Sequence, residues 1–149
     1  MLRAEDNKYL TESGRGTGMG ELLDLSDIVI GNERFAAEFS HSSDMKRSLV
    51  ELTQMGPRIA VITLGEEGVI GLEGETLVRQ PALPIEVYDT NGASEVFRGA
   101  FLYGQLQGWP LDRCLPFANA AAALNCRHLG GTGGIPTLTE VIQAAGMSA

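Results

Sequence analysis

The run RIAVITLG at residues 58–65 limits the choice of fold more than any other stretch of this sequence. Its residues 59–63 are all apolar or β-branched, which is typical of a strand buried on both faces of a parallel sheet. Such a strand needs helices on both sides of the sheet, because both of its faces must be shielded from water. The sequence therefore predicts an α/β protein with this run as a central parallel strand.

The remaining strands and helices are predicted from the spacing of apolar residues and of turn residues. We expect one α/β domain over residues 20–149, preceded by a flexible, glycine-rich segment at 1–19. The predicted extended pieces are a buried strand at 27–31, a hairpin of 69–72 with 76–78, and the stretch 85–89. Helical spacing is found in a short piece near 21–25 and at 33–39, 44–56, 93–107, 111–128 and 137–145.

The charge balance limits the class of partner. The 149-residue chain has 11 basic and 19 acidic residues, a net charge of −8, which argues against binding to nucleic acid or to an anionic membrane. An anionic small ligand stays compatible, because local backbone N–H groups can outweigh a distant net charge. No apolar run approaches the roughly 18 residues of a membrane span. With no signal-peptide pattern, and with Cys114 and Cys126 expected as buried free thiols, we expect a cytoplasmic protein.

The stretch DTNGASEVFRGAF at 89–101 places small residues directly in front of a helical pattern. Such a turn aligns the first N–H groups of the helix toward one point, where the helix macrodipole adds partial positive charge. The pattern is typical of an anion site, and Glu95 in the first helical turn could take a proton from an incoming hydroxyl. The alternative is that Glu95 only complements the dipole, which is worth about 0.3–1 kcal/mol.

Three further patterns carry less information. TLGEEG at 63–68 follows the central strand, where open α/β sheets bind ligands, so Gly65 and Gly68 either approach a nucleotide or simply join two strands. SGRGTGMG at 13–20 has no strand before it, and we interpret it as a loop rather than a dinucleotide-binding motif. His41 and His128 lack metal-ligand spacing with any other His or Cys, so no metal site made by protein ligands alone is predicted.

Taken in order along the chain, these pieces resemble the PfkB, or ribokinase-like, family of carbohydrate kinases over residues 20–145. SDIVIGNE resembles the strand that ends in the family's Asn-Glu segment, and AVITLGEEGV resembles its Thr-x-Gly-x-x-Gly nucleotide loop. DTNGASEVFRGAF resembles the signature usually read Asp-Thr-x-Gly-Ala-Gly-Asp. FANAAAALNCRHLGGTGGIPTLTEV resembles the closing helices beside the adenine pocket.

The resemblance implies a ribokinase-like (Rossmann-like) three-layer sandwich and transfer of the γ-phosphoryl group from ATP, with Mg²⁺, to a sugar hydroxyl. In that family a Gly-Ala-Gly backbone forms an anion hole for the migrating phosphoryl group, and the following Asp deprotonates the acceptor. Carried over by position, the anion hole is Gly92, Ala93 and Ser94, and the base is Glu95. The residues implied at the nucleotide are Thr63, Gly65, Gly68, Asn119 by the adenine pocket, and Asn32 near the Mg²⁺–phosphate network.

The sequence departs from the family pattern at these chemical positions. Ser94 replaces a glycine and is expected to be strained by about 1–2 kcal/mol if that position needs a positive φ. Glu95 replaces an Asp, and its extra methylene displaces the carboxylate by more than about 1 Å, which can cost roughly a hundredfold in rate. The family's Asn-x-x-Glu pattern also fails, since Phe35 occupies its last position and leaves Glu33 as a substitute. We therefore expect weak or absent kinase activity.

The resemblance is confined to the carboxy-terminal half of the family's fold, so the expected architecture is a shortened version of it. The family's amino-terminal half holds most of the sugar-binding residues, the lid and several strands of the sheet. A chain without that half is expected to expose sheet surface, and so to aggregate, to form a homodimer or to need a completing polypeptide. Three functional hypotheses stay open: an active phosphotransferase, a non-catalytic module that binds nucleotide or a partner, and a gene fragment with no selected function.

Overall fold

The computed structural model describes residues 18–40 and 42–148. These residues form two compact units. The first unit comprises the described residues up to Leu64 together with Ile70–Leu77, and the second comprises Gly65–Val69 and residues 78–148. Most of the predicted glycine-rich segment at 1–19 lies outside the described residues, within which the first helix begins at Gly18.

The first part of the described chain contains both helices and strands, and after the β-hairpin it contains helices only. The helices are α1 (Gly18–Asp24), α2 (Glu33–Ser40), α3 (Met45–Gln54), α4 (Ala93–Leu106), α5 (Leu111–Asn125) and α6 (Leu138–Ala144). The strands are β1 (Ile28–Asn32), β2 (Ile59–Thr63), β3 (Val69–Glu73) and β4 (Thr76–Gln80). A single 3₁₀ turn at Gly65–Glu67 follows β2. The order agrees with the sequence-based prediction, with shifts of one to three residues at most ends. The exception is the extended stretch predicted at 85–89, which is wrong as a strand, because those residues pair with no strand of the sheet.

The predicted central strand is confirmed. The sheet has the order β1-β2-β3-β4, and β1 pairs with β2 in parallel, from Ile28 opposite Ile59 to Asn32 opposite Thr63. All four residues from Ile59 to Ile62 are 0% exposed, so β2 is buried on both faces. Its alternate side chains therefore face two different layers, which is why the run could not be amphipathic.

The helices and loops of the first unit pack closely against one another. Asp44 caps α3 by accepting a hydrogen bond from the Lys46 N–H at 2.9 Å. Gly56, after the end of α3, has a φ of 137° and faces the end of α1, where a Cβ would lie 2.6 Å from the Leu23 carbonyl oxygen. Only glycine fits both that backbone conformation and that space.

The second unit is built on the pair α4 and α5. The aromatic rings of Tyr103, Trp109 and Phe117 pack together with centroid separations of 5.2–5.7 Å. Gly104 lets the helices approach, since a Cβ there would lie 2.8 Å from the Cys114 Sγ. Cys114 and Cys126 are both buried and neither is in a disulfide, as predicted. Residues 81–92 contain no helix or strand. No helix in the described parts of the chain combines the length and the apolar character needed to cross a membrane.

Candidate functional site

Two of the predicted nucleotide residues lie side by side in the first unit, at the carboxyl ends of β1 and β2. Asn32 is the register partner of Thr63. The Asn32 Oδ1 accepts a hydrogen bond from the Phe35 N–H at 2.9 Å, which caps α2, and the Thr63 hydroxyl donates to the Gly31 carbonyl at 3.3 Å. Both side chains therefore have local structural partners as well as a position at the edge where α/β sheets bind ligands.

Phe35 explains part of the departure from the Asn-x-x-Glu pattern. Its ring packs directly over Gly31, where a Cβ would overlap it, and lies 4.7 Å from the ring of Phe39. The position is thus occupied by an aromatic side chain that packs against the core of the first unit. Glu33, in the first turn of α2, is exposed at the same strand end.

The two glycines of the nucleotide loop differ in their surroundings. Gly65 has a φ of 57°, is exposed, and has open space where a Cβ would stand. Gly68 has a φ of 95° and is buried against the backbone of residues 80–82, so that any Cβ would overlap it. The backbone of Gly65 is therefore exposed, whereas Gly68 is required by packing within the second unit.

Asn119 contacts the same backbone segment as Gly68. Its Nδ2 donates to the Pro81 carbonyl oxygen at 2.8 Å. The structure thus brings Gly68 and Asn119 together through residues 80–82, and the Asn119 amide holds a segment that backs the glycine loop.

The turn before α4 depends on a glycine in the left-handed conformation. Gly92 has a φ of 76° and stands at the N-cap position, with no side chain to cap the helix. A Cβ at Gly92 would lie 2.5 Å from the carbonyl oxygen of Gly131 and 2.6 Å from its Cα. Glycine is therefore required at position 92 both for its conformation and for the space it leaves.

Several N–H groups at this helix start have no acceptor within the described parts of the chain. The Ala93 N–H donates to the Thr90 carbonyl at 3.2 Å, and the Val96 N–H donates to the Gly92 carbonyl at 2.9 Å. The N–H groups of Gly92, Ser94 and Glu95 find no protein acceptor among residues 18–40 and 42–148. Such N–H groups at the first turn of a helix are the kind that bind anions in other proteins, and this helix is 14 residues long.

The strain predicted for Ser94 does not arise. Ser94 lies inside α4, so its backbone is helical, and the positive φ falls on Gly92 instead. Glu95 is in the first turn, as predicted, and its side chain is 72% exposed. The Arg98 Nη1 donates to the Glu95 Oε1 at 3.4 Å, an exposed pair of the kind that contributes little to stability.

Asp89 holds this turn and was not identified as a site residue from the sequence. Its Oδ1 accepts from the Asn91 N–H at 2.9 Å, and its Oδ2 accepts from the Gly130 N–H at 2.8 Å. The hydrogen bond from Asn91, and then the one from Gly130, hold the pKa of the Asp89 carboxyl below its ordinary value. The Asp-x-Asn spacing is a signal for the first bond, but the partner 41 residues away has no local signal.

Asn125 is the second residue that the sequence did not single out. It is 0% exposed, and its Nδ2 donates to the Asn91 carbonyl oxygen at 3.1 Å. Its Oδ1 is buried with no hydrogen-bond partner in the described chain; an unsatisfied buried acceptor costs about 1–3 kcal/mol. The available signal was a polar residue inside the apolar run FANAAAALNC.

The described residues also limit how a metal ion could be held. Over 18–40 and 42–148, no group of three or more His, Cys, Asp or Glu side chains is placed to bind one. Mg²⁺ does not need such a group, because it often keeps its waters and is held by one or two protein oxygens plus substrate phosphates.

The chain is similar in sequence to curated kinases. The chain is 34% identical over 121 residues to a ribokinase of Lactococcus lactis, an alignment that covers 81% of this chain and 39% of that protein. It is 37% identical over 98 residues to a cytidine kinase of Thermococcus kodakarensis, covering 64% of this chain and 35% of that protein. The chain thus spans less than half the length of these relatives.

The fold agrees with a solved kinase structure. A structure of Arabidopsis thaliana ribokinase complexed with ribose and ATP superposes with a TM-score of 0.78 at 27% identity, covering 87% of this chain and 44% of that one. The predicted ribokinase-like fold, limited to part of the whole, is confirmed. The pfkB family carbohydrate kinase pattern matches residues 4–138. This chain therefore belongs to the pfkB family of carbohydrate kinases.

Proposed function

We propose that the chain binds Mg-ATP and that its own transfer of the γ-phosphoryl group to a sugar hydroxyl is weak. The observation that carries the proposal is the helix start at Gly92–Glu95, where N–H groups with no acceptor among the described residues lie beside a carboxylate. An anion-binding turn of this kind suits a phosphoryl group, because the N–H groups and the helix macrodipole both favour negative charge.

In this proposal the turn stabilises the charge on the equatorial oxygens of the transferred group. The acceptor oxygen forms a bond to the γ-phosphorus as the bond from that phosphorus to the β-γ bridging oxygen breaks. The acceptor proton passes to the Glu95 carboxylate. The N–H groups of Gly92, Ser94 and Glu95 are the donors that the structure leaves available, whereas the Ala93 N–H already has Thr90 as its partner.

Glu95 is the reason to expect weak transfer. Its side chain reaches one methylene further than the Asp of the family signature, and in this structure its carboxylate is paired with Arg98. A misplaced base can lose about a hundredfold in rate per 1 Å. Binding through backbone N–H groups does not depend on that side chain, so we expect nucleotide binding to survive better than catalysis.

The other nucleotide residues are proposed from the family resemblance. Gly65 would approach the nucleotide with exposed backbone, supported by Gly68 and by Asn119. Thr63 and Asn32 would lie near the phosphates and the Mg²⁺. Asn32 and the exposed Glu33 offer oxygen donors of the kind that Mg²⁺ accepts. The metal ion, when bound, would neutralise charge on the phosphate oxygens.

The proposed acceptor is a hydroxyl of a sugar or of a sugar-containing molecule. The relatives include a kinase named for ribose and one named for cytidine, which supports this class without choosing within it. A second copy of the chain or a completing polypeptide is proposed as a partner. Strand β1, which ends the sheet formed by the described strands, supports this idea, because an edge strand can pair with another chain.

The first test is thermal unfolding of the 149-residue chain with and without Mg-ATP. A ligand present at a hundred times its dissociation constant stabilises the folded state by about 2.7 kcal/mol, which should raise the midpoint by several degrees. A cooperative transition that does not move with Mg-ATP would contradict the proposal. A chain with no cooperative transition would favour the gene-fragment hypothesis.

Turnover distinguishes the proposal from a non-catalytic nucleotide-binding module. Sugar-dependent hydrolysis or transfer of the γ-phosphate should be measurable but slow, and should fall further in Glu95→Gln. The double substitution Ser94→Gly/Glu95→Asp, which restores the family signature, should raise it. Binding of Mg-ATP with no turnover in any of these proteins would favour the non-catalytic module, which the Glu95–Arg98 pair already supports.

A further inference from the structure

The orientation of one peptide bond governs the anion-binding turn. The Asn91–Gly92 peptide is trans, as are all the peptide bonds that the structure describes. In a planar trans peptide the C=O of one residue and the N–H of the next point in opposite directions. Whatever holds the Asn91 carbonyl therefore also sets the direction of the Gly92 N–H, one of the unpaired donors of the turn.

The Asn91 backbone is held at both of its polar atoms. Its N–H donates to Asp89, and its carbonyl oxygen accepts from the Asn125 Nδ2 at 3.1 Å. The bond from Asp89 spans two residues and can form in any local turn of this type. The bond from Asn125 spans 34 residues and fixes the turn to the end of α5.

The chemistry of the Asn125 side chain indicates that its role is the hydrogen bond to the Asn91 carbonyl. Only the amide nitrogen can donate to a carbonyl, so the contact with Asn91 determines which way the amide faces. The opposite atom, Oδ1, is then buried without a partner in the described chain. A leucine of similar size would fill the same space without burying an unsatisfied group, so the polar side chain is not explained by packing.

We propose that Asn125 is a positioning residue for the anion-binding turn: through the Asn91 carbonyl it aims the Gly92 N–H at the bound phosphoryl group. The part of the inference that concerns the ligand rests on the proposed function. The part that concerns the turn does not. Asn125 touches no ligand in this scheme and acts only through the Asn91–Gly92 peptide.

The test compares Asn125→Leu with the unaltered chain, and Asn125→Ser serves if the leucine variant does not fold. Serine is too short to reach the Asn91 carbonyl but is easily accommodated. Exchange of the Ala93 and Val96 amides is followed by NMR, since their acceptors, Thr90 and Gly92, belong to the turn. Affinities for Mg-ATP and Mg-ADP are measured in parallel. Thr137→Ala, which removes the cap of α6 in the same unit, is the matched control for general destabilisation.

We expect both Asn125 variants to exchange the Ala93 and Val96 amides faster, while Thr137→Ala leaves their exchange unchanged. The affinity for Mg-ATP should fall by roughly 3- to 10-fold, the value of one hydrogen bond, with little change for Mg-ADP, which lacks the group held by the turn. Equal losses for both nucleotides, or faster exchange in the Thr137 control as well, would overturn the inference. If the unaltered chain binds neither nucleotide, the proposed function fails, and unchanged amide exchange in the variants would separately overturn the role of Asn125.

Discussion

At the scale of single residues, the turn before α4 depends on a glycine, which has no side chain, and on neighbouring side chains that hydrogen-bond to its backbone. Gly92 combines a left-handed backbone with close packing on Gly131, whereas Gly65 has a similar backbone in open space. Asp89 and Asn125 each hydrogen-bond to the Asn91 backbone, and Asp89 also accepts a hydrogen bond from the Gly130 N–H. In the proposed function the backbone N–H groups would hold the anion, and the side chains around the turn would place them.

Alanine substitutions at Gly65 and at Gly92 should distinguish the free-energy cost of an unfavourable backbone conformation from the cost of a steric collision. Gly65→Ala should lower the free energy of unfolding by about 1–2 kcal/mol, because only its backbone conformation is unfavourable. Gly92→Ala adds a collision with the Gly131 backbone, and such overpacking costs about 1–3 kcal/mol more. Urea unfolding with an unchanged m-value provides the measurement. Equal losses in the two variants would show that Gly131 does not lie against Gly92.

The lowered pKa of Asp89 gives the turn a pH dependence. A carboxyl whose pKa is lower in the folded state binds fewer protons there, so its contribution is fully present above its unfolded pKa, about 3.9, and is lost as the pH falls through the folded pKa. We expect Asp89→Asn to be less stable than the unaltered chain at pH 7. The two should converge as the pH falls below about 3.9, as measured by urea unfolding from pH 7 to pH 3. A difference independent of pH would contradict this role.

At the scale of elements, α4 and α5 form the support on which the candidate site is built. Helix α4 begins at the turn proposed to bind the phosphoryl group, and α5 ends at Asn125, which hydrogen-bonds to that turn. Their approach depends on Gly104, which faces Cys114 and Trp109. The site is therefore sensitive to the spacing between two helices as well as to its own residues.

Two glycines of α4 provide a matched pair for testing that spacing. Gly99 has open space where a Cβ would stand, so Gly99→Ala should stabilise the chain by about 0.5–1 kcal/mol through helix propensity. Gly104→Ala would place its methyl group 2.8 Å from the Cys114 Sγ and should destabilise by about 1–3 kcal/mol. Thermal unfolding of the two variants tests the opposite signs. Stabilisation by both would mean that α4 and α5 do not approach closely at Gly104.

At the scale of the whole molecule, each unit has a buried core of its own. The first core includes the sheet residues Ala60 and Ile62 and the helix residues Ala36, Phe39 and Leu49. The second includes Phe117, Ala120 and Val141. Both cysteines lie in the second unit, so their accessibility reports on that unit. Burial, and then the nearby charge of Asp89, raise the pKa of the Cys126 thiol.

Thiol labelling should therefore follow the opening of the second unit. At pH 8 we expect both thiols of the folded chain to react with a disulfide reagent far more slowly than a free thiol, because both are buried and Cys126 resists ionisation. Both should react at once in concentrated urea. Rapid reaction of Cys114 in the folded chain would contradict the packing at the start of α5, and rapid reaction of Cys126 would contradict the packing at its end.

Much of the fold follows from local patterns in the sequence. The run at 59–63 is apolar on both faces, so it had to become a strand buried in a covered sheet, and β2 is that strand. The end of α3 before Gly56 and the hairpin of β3 and β4 also follow from residues next to one another. Helical spacing located α4, α5 and α6 to within three residues because each has an apolar face to bury.

In the candidate site, too, some features follow from neighbouring residues in the sequence and others depend on tertiary contacts. The sequence by itself determined that a glycine turn leads into a helix with Glu95 in its first turn, because these are neighbours along the chain. Only the tertiary structure decided that Gly92 rather than Ser94 takes the left-handed conformation, that Gly131 packs on it, and which N–H groups stay unpaired. It also decided that Asp89 accepts a hydrogen bond from the Gly130 N–H and that Asn125 donates one to the Asn91 carbonyl. These contacts join residues 34 and more positions apart, and hydrogen bonds at such separations leave no periodic trace in the sequence.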